Sequence, residues 1–239
     1  MPLPHRLITI AAAATLGGCA AMGGGGGGGD NLPNRGVVPY ERVLSEDGEL
    51  GLFALASETP DTLIYVEPHA LVTDEQQVVL FAEAHDLTTG AGAIVRCELD
   101  ATLMCSTPRQ VLAPSAPGSE WLGGRVGAPS VLRQEGTWLM AFAYGDGDGI
   151  GLAWSVDGED FVLDEAPLLV GSGQAEDGGI GSPSLVRTDT GYRVYYEGQD
   201  ADGISRVMVA DGDFGLVFER VGVALEPGQT CVDVMGQPE

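Results

Sequence analysis

Glu67 stands directly before Pro68, and the same residue-before-proline position recurs at Ala128-Pro129 and Ser182-Pro183. Of the three, only Glu67 can exchange a proton. Other side chains with usable chemistry follow each proline. His69 comes one residue after the first step. Glu83, His85 and Asp86 end an apolar run downstream of it, and Glu197 ends the matching run downstream of Pro183. Ends of this kind can face a shared pocket or lie in solvated loops. Arg125, just ahead of Ala128, could bind an anionic group or pair with one of the chain's many carboxylates. Asp146, Asp148, Asp200 and Asp202 crowd loops whose oxygens would suit calcium. The EF-hand spacing is absent and Asp-Gly turns account for most of them, so the expectation is no metal and no cofactor. No Gly-rich phosphate loop, zinc-spaced His set or Ser-His-Asp arrangement is present.

These residues sit in three segments that read alike, beginning at Glu67, Ala128 and Ser182. Their prolines are 61 and 54 residues apart, a period that belongs to arrays and propellers. After the proline comes a short apolar stretch, Ser130-Val131-Leu132 or Ser184-Leu185-Val186, then a Gly-containing turn. An aromatic alternating strand follows, Trp138 to Tyr144 or Tyr192 to Tyr196. An Asp-Gly loop leads into a third strand, Ile150 to Ser155 or Ile204 to Val209. A short outer strand closes the unit, Phe161 to Leu163 or Leu216 to Phe218. Four short strands joined by Asp-Gly turns make one antiparallel blade. No helical apolar period occurs after the first thirty residues, so the fold class is all-β. Leu50 to Ser57 matches the third strand of the later repeat. The chain therefore reads as about three and a half blades of a β-propeller, spanning 34–239, and as part of a longer product.

Ala128-Pro129-Ser130-Val131 with Trp138 to Tyr144, and Ser182-Pro183-Ser184-Leu185 with Tyr192 to Tyr196, resemble blades of the five-bladed propellers of glycoside hydrolase family 43 and its invertase-like, levansucrase-like and family 130 relatives. The likeness runs from about Glu67 to Val221. It implies that each x-Pro strand lines a central channel. It also implies that a carboxylate before one proline serves as base while another tunes a Glu acid. On that pattern Glu67 is the candidate base, where the family usually has Asp, and Ser182 stands where a tuning Asp would be expected. His69, Arg125, Asp146 and Glu197 are the candidate ligand-binding residues. His69 could meet a sugar hydroxyl or be a buried, satisfied ring. The expected function is carbohydrate binding without turnover, with glycoside hydrolysis by Glu67 or a protein-binding propeller as alternatives. Ser155-x-Asp157-Gly158 with Phe161 resembles the structural Asp-box turn of sialidase propellers.

The first residues carry a different message. Arg6, the apolar run Leu7 to Leu16 and Leu16-Gly17-Gly18-Cys19 resemble a lipoprotein signal peptide, 1–18, with its lipobox. Cys19 is then the lipidation site, and 19–33, with seven consecutive glycines from Gly23, is a tether. Ala20 after the Cys points to an outer-membrane lipoprotein of the cell envelope, anchored only through its lipid. The chain holds 35 acidic and 11 basic residues, all of the latter Arg, for a net charge of −24. Such a field repels nucleic acid and anionic headgroups, and leaves a carbohydrate or an envelope protein as partner. Cys97 and Cys105 flank what reads as a hairpin and could form a disulfide in an oxidising compartment, which leaves Cys231 odd.

Overall fold

The computed structural model describes residues 62–100, 104–105, 107–115 and 119–227, all within one compact unit. The signal peptide, Cys19, the tether, the half-repeat at Leu50 to Ser57 and Cys231 lie outside the described residues.

Three antiparallel sheets follow one another along the chain. The first is β1(Leu63–Val72), β2(Val78–Asp86), β3(Gly92–Glu98) and β4(Arg109–Leu112). The second is β5(Val126–Gln134), β6(Thr137–Tyr144), β7(Gly149–Ser155) and β8(Val162–Leu163), with β9(Leu169–Val170) pairing the opposite end of β7. The third is β10(Gly179–Arg187), β11(Gly191–Gln199), β12(Ser205–Asp213) and β13(Phe218–Leu225). Each sheet keeps sequence order, as an up-and-down blade requires. A single 3-10 turn, Glu120–Leu122, is the one helical element among the described residues. No helix of the described residues is long and apolar enough to cross a membrane.

The local chemistry explains the strands. The β5–β6 connection is a two-residue turn in which Glu135 and Gly136 both have positive φ, 51° and 83°. That geometry matches the twist of the flanking strands. The two faces of the middle blade then diverge by strict alternation along β6. Trp138, Met140, Phe142 and Tyr144 pack with Val79, Phe81 and Ile94 of the first blade. Leu139 and Ala141 pack with Leu185, Val194 and Tyr196 of the third. Phe81, Phe142 and Tyr196 are almost wholly buried, each worth roughly 2–3 kcal/mol of apolar transfer. The inner strand β5 lies beside β1 on one side and β10 on the other, so the three x-Pro strands are neighbours.

All three of those strands carry the same defect. The β1–β2 register shifts between Val66 and His69, the β5–β6 register between Gly127 and Ser130, and the β10–β11 register between Gly181 and Ser184. The residue at each bulge is the one before proline. Glu67, Ala128 and Ser182 have φ of 51°, 45° and 46°. Non-glycine residues rarely adopt this left-handed backbone. Three instances at one repeat position mark a built feature that re-aims the side chain out of the sheet alternation.

The turn after β7 has the Asp-box form expected from Ser155, Asp157 and Gly158. The Ser155 hydroxyl donates to Asp157 Oδ1 at 2.8 Å and accepts the N–H groups of Gly158 at 2.9 Å and Asp157 at 3.3 Å. The N–H groups of Asp160 and Glu159, with Ser155, hold the Asp157 carboxyl down at about 2. A Cβ on Gly158, at φ 77°, would meet the Trp138 ring at 2.7 Å, so the turn seats directly on the core. Ser155 is buried. Ser155→Ala is therefore expected to cost about 1–2 kcal/mol, read as a lower urea midpoint with unchanged slope.

Two boundaries differ from expectation. The outer strand of the third blade starts at Phe218 and not at the expected Leu216. Asp213 Oδ1 accepts the N–H groups of Gly215 and Val217, and Leu216 takes φ 62°, so those residues form a turn. The middle blade also gains β9, a two-residue apolar pair too short to announce itself. Cys97 and Cys105 are joined as a disulfide, with Cα atoms 5.7 Å apart beside a Leu99–Cys105 bridge.

Candidate functional site

The three bulges bring Glu67, Ala128 and Ser182 to one cavity of about 140 Å³, which Glu83, Arg125 and Ile180 also line. It lies where the inner strands of the blades meet. Among its lining residues, Glu67, Glu83 and Arg125 carry charge.

Glu83 is the anchor of the arrangement. It continues the face of Val79 and Phe81 toward the middle blade and is fully buried. Arg125 Nε donates to Glu83 Oε1 at 2.7 Å and its Nη2 to Oε2 at 3.1 Å, a two-point clamp. His85 Nδ1 lies 3.0 Å from Oε1. Two glycines leave the room this needs. A Cβ on Gly127 would stand 1.8 Å from Glu83 Oε2, and one on Gly92 2.7 Å from Oε1.

Glu67 meets this anchor from β1. Its carboxyl is raised above the usual range, first by burial, then by the neighbouring Glu83 charge, with Arg125 opposing. The closeness of the Glu83 side chain adds to the rise, while the Ala128 backbone pulls the other way. Both carboxyls line the one cavity, and a like charge so near disfavours ionisation of Glu67. Glu83 therefore has the position of a group that tunes Glu67.

The other candidates separate cleanly. Arg125 lies in the cavity wall, committed to Glu83 and, at 3.6 Å, to Asp146. Asp146 is almost fully exposed on the rim and is not among the cavity's lining residues. His69 does not line it either. Its Nε2 lies 2.9 Å from the Val131 carbonyl, and burial lowers its basicity, so the ring ties the first blade to the second. Of the two readings of His69, a sugar contact or a satisfied ring, that bond favours the second. Glu197 is exposed at the end of β11 and also lies outside the lining set. It occupies the register position opposite Gly181 that Glu83 occupies opposite Val66. Asp86 and Asp200 serve turns: Asp86 accepts the Thr88 N–H, and Asp200 accepts those of Asp202 and Ile204 and pairs with Arg206. In the sequence Glu83 stands as one of several strand-end acids. The signal for its role was a carboxylate in register with Val79 and Phe81.

The fold resembles that of solved glycoside hydrolases of families 43, 117 and 130 and of a sucrose-6-phosphate hydrolase. A thermostable family-43 glycoside hydrolase superposes with a TM-score of 0.53 at 15% identity, covering 70% of this chain and 60% of that one. A sucrose-6-phosphate hydrolase from Lactobacillus gasseri gives 0.56 at 12% identity, covering 66% and 34%. A family 117 glycoside hydrolase from the marine bacterium Zobellia galactanivorans gives 0.56 at 11% identity, covering 66% and 55%. The chain thus spans less than two thirds of the length of these structures, and the likeness is one of fold. No family model matches the sequence, and no curated protein matches it.

Proposed function

We propose that the axial cavity binds a glycan and that Glu67 acts there as the base of glycoside hydrolysis. The observation that carries this reading is the Glu67–Glu83–Arg125 arrangement at the strained bulge of an inner strand. It places a carboxyl of raised proton affinity at the mouth of a preformed pocket. A carboxyl whose proton affinity is raised is better matched to proton transfer than an ordinary one. The test is a screen of the full chain against aryl-glycosides of varied sugar and anomer. Release of the aryl group by the native protein is expected, with the acid limb of its pH profile above the ordinary carboxylate range. Activity rises with pH through Glu67's raised value because a base works ionised. Glu83→Gln removes a charge that holds that value up, so the limb is expected to move to lower pH. A limb that stays in place would take the tuning role from Glu83.

A second reading, glycan binding without turnover, is favoured by Ala128 and Ser182, which fill the positions equivalent to Glu67 without a carboxylate. It predicts retention on a glycan array with no aryl release. We also propose that the protein works at the cell envelope, held there through lipid on Cys19; labelling with a palmitate analogue that is lost in Cys19→Ala tests this.

A further inference from the structure

The charge arrangement in the cavity bears on which sugars it accepts. The single basic side chain among the described lining residues is Arg125. Its guanidinium is taken up by both oxygens of Glu83, and its remaining terminal nitrogen faces Asp146. Glu67 adds a third acid within electrostatic reach, and all three hold the guanidinium charged. A carboxylate or sulfate on an incoming sugar would have to displace Glu83, which is fully buried and has no water to turn to. What the cavity offers outward is the Glu67 carboxyl, the Ser182 hydroxyl and the Asp146 carboxylate on its rim. These are acceptors or neutral donors. The wider field has the same sign, at −24 for the chain. An acidic cleft enriches cations and depletes anions near it.

We infer that the axial cavity selects sugars without anionic groups and favours one bearing a free ammonium, an amino sugar, because its only guanidinium is already neutralised by Glu83. The substrate class rests on the glycan-binding reading. The selectivity reads directly from Arg125 and its partners.

Three soluble monosaccharide methyl glycosides of one configuration separate the possibilities: glucoside, glucosaminide with a free amine, and glucuronide. Binding to the full chain is measured by ligand-observed NMR at 20 mM and 500 mM NaCl. The glucosaminide is expected to bind about 3–10-fold more tightly than the glucoside at low salt, and the gap to close at high salt. The glucuronide is expected to be weakest at low salt. In Glu83→Gln, which frees the guanidinium, glucuronide binding is expected to rise by a similar factor. Glucuronide binding as tight as glucoside in the native protein overturns the selectivity and leaves glycan binding intact. Absence of binding by all three to the native protein overturns glycan binding itself and the inference with it. If the variant fails to fold, the native comparison alone still decides.

Discussion

Glu67→Gln is expected to lower turnover of any aryl-glycoside the protein cleaves by about 10²–10⁴-fold, with little change in KM. The amide keeps the size of the carboxyl, so the wall of the cavity stays in place. What it loses is the ability to take a proton. A merely structural Glu67 would instead move KM and thermal stability together. Steady-state rates alongside a melting curve separate the two, and a variant within tenfold of the native rate ends the assignment of Glu67 as base. The substitution also removes the titrating group, so any residual activity is expected to lose the acid limb that Glu67 imposes.

Arg125→Ala is expected to cost about 2–4 kcal/mol of stability, because it leaves Glu83 buried against a protein wall without its cation. Breaking one partner of a buried pair usually costs 3–5 kcal/mol. The Arg125 side chain is about a third exposed, at 32% against 0% for Glu83, and solvent screening reduces the figure. For a domain of this size that is a fall of roughly 5–15 °C in Tm, readable by calorimetry. Replacing both partners by glutamine is expected to recover more than half of the loss, since no buried charge is then stranded. A double variant as unstable as the sum of the single ones would show that the pair is not what holds this region.

Much of this architecture could be read from the chain because propeller blades repeat their grammar. Pro68, Pro129 and Pro183 mark the inner strands, and Trp138 to Tyr144 reads as an aromatic alternating strand, whose burial on both faces comes from the packing of the blades. The bulge at each proline was not legible, because left-handed φ at Ala128 or Ser182 leaves no trace in residue type. Nor was the tie of His69 to Val131, which depends on how one blade seats against the next. Glu83 was visible only as a strand-end acid: its period with Val79 and Phe81 was the signal of a packed face, but its partner Arg125 is 42 residues away. The glycines explain a spelling that had no meaning beforehand. Gly127 and Gly181 precede the residue before proline, and each sits where its strand passes over the previous blade, Gly127 against Glu83 and Gly181 against Ala143. The same Gly-x-Pro spelling returns at Gly236-Gln237-Pro238, 55 residues after Pro183 and outside the described residues.

The repeated left-handed kink has a consequence for how such a protein can change. Three chemically unlike residues, an acid, a methyl and an alcohol, occupy one backbone shape with φ within a few degrees of each other. The shape is set by the proline and the neighbouring strands, so the side chain it delivers is free to vary. Reactivity at the axis is thus interchangeable among blades by single codon steps, and a lineage could gain, lose or relocate its working group while the scaffold that presents it stays the same.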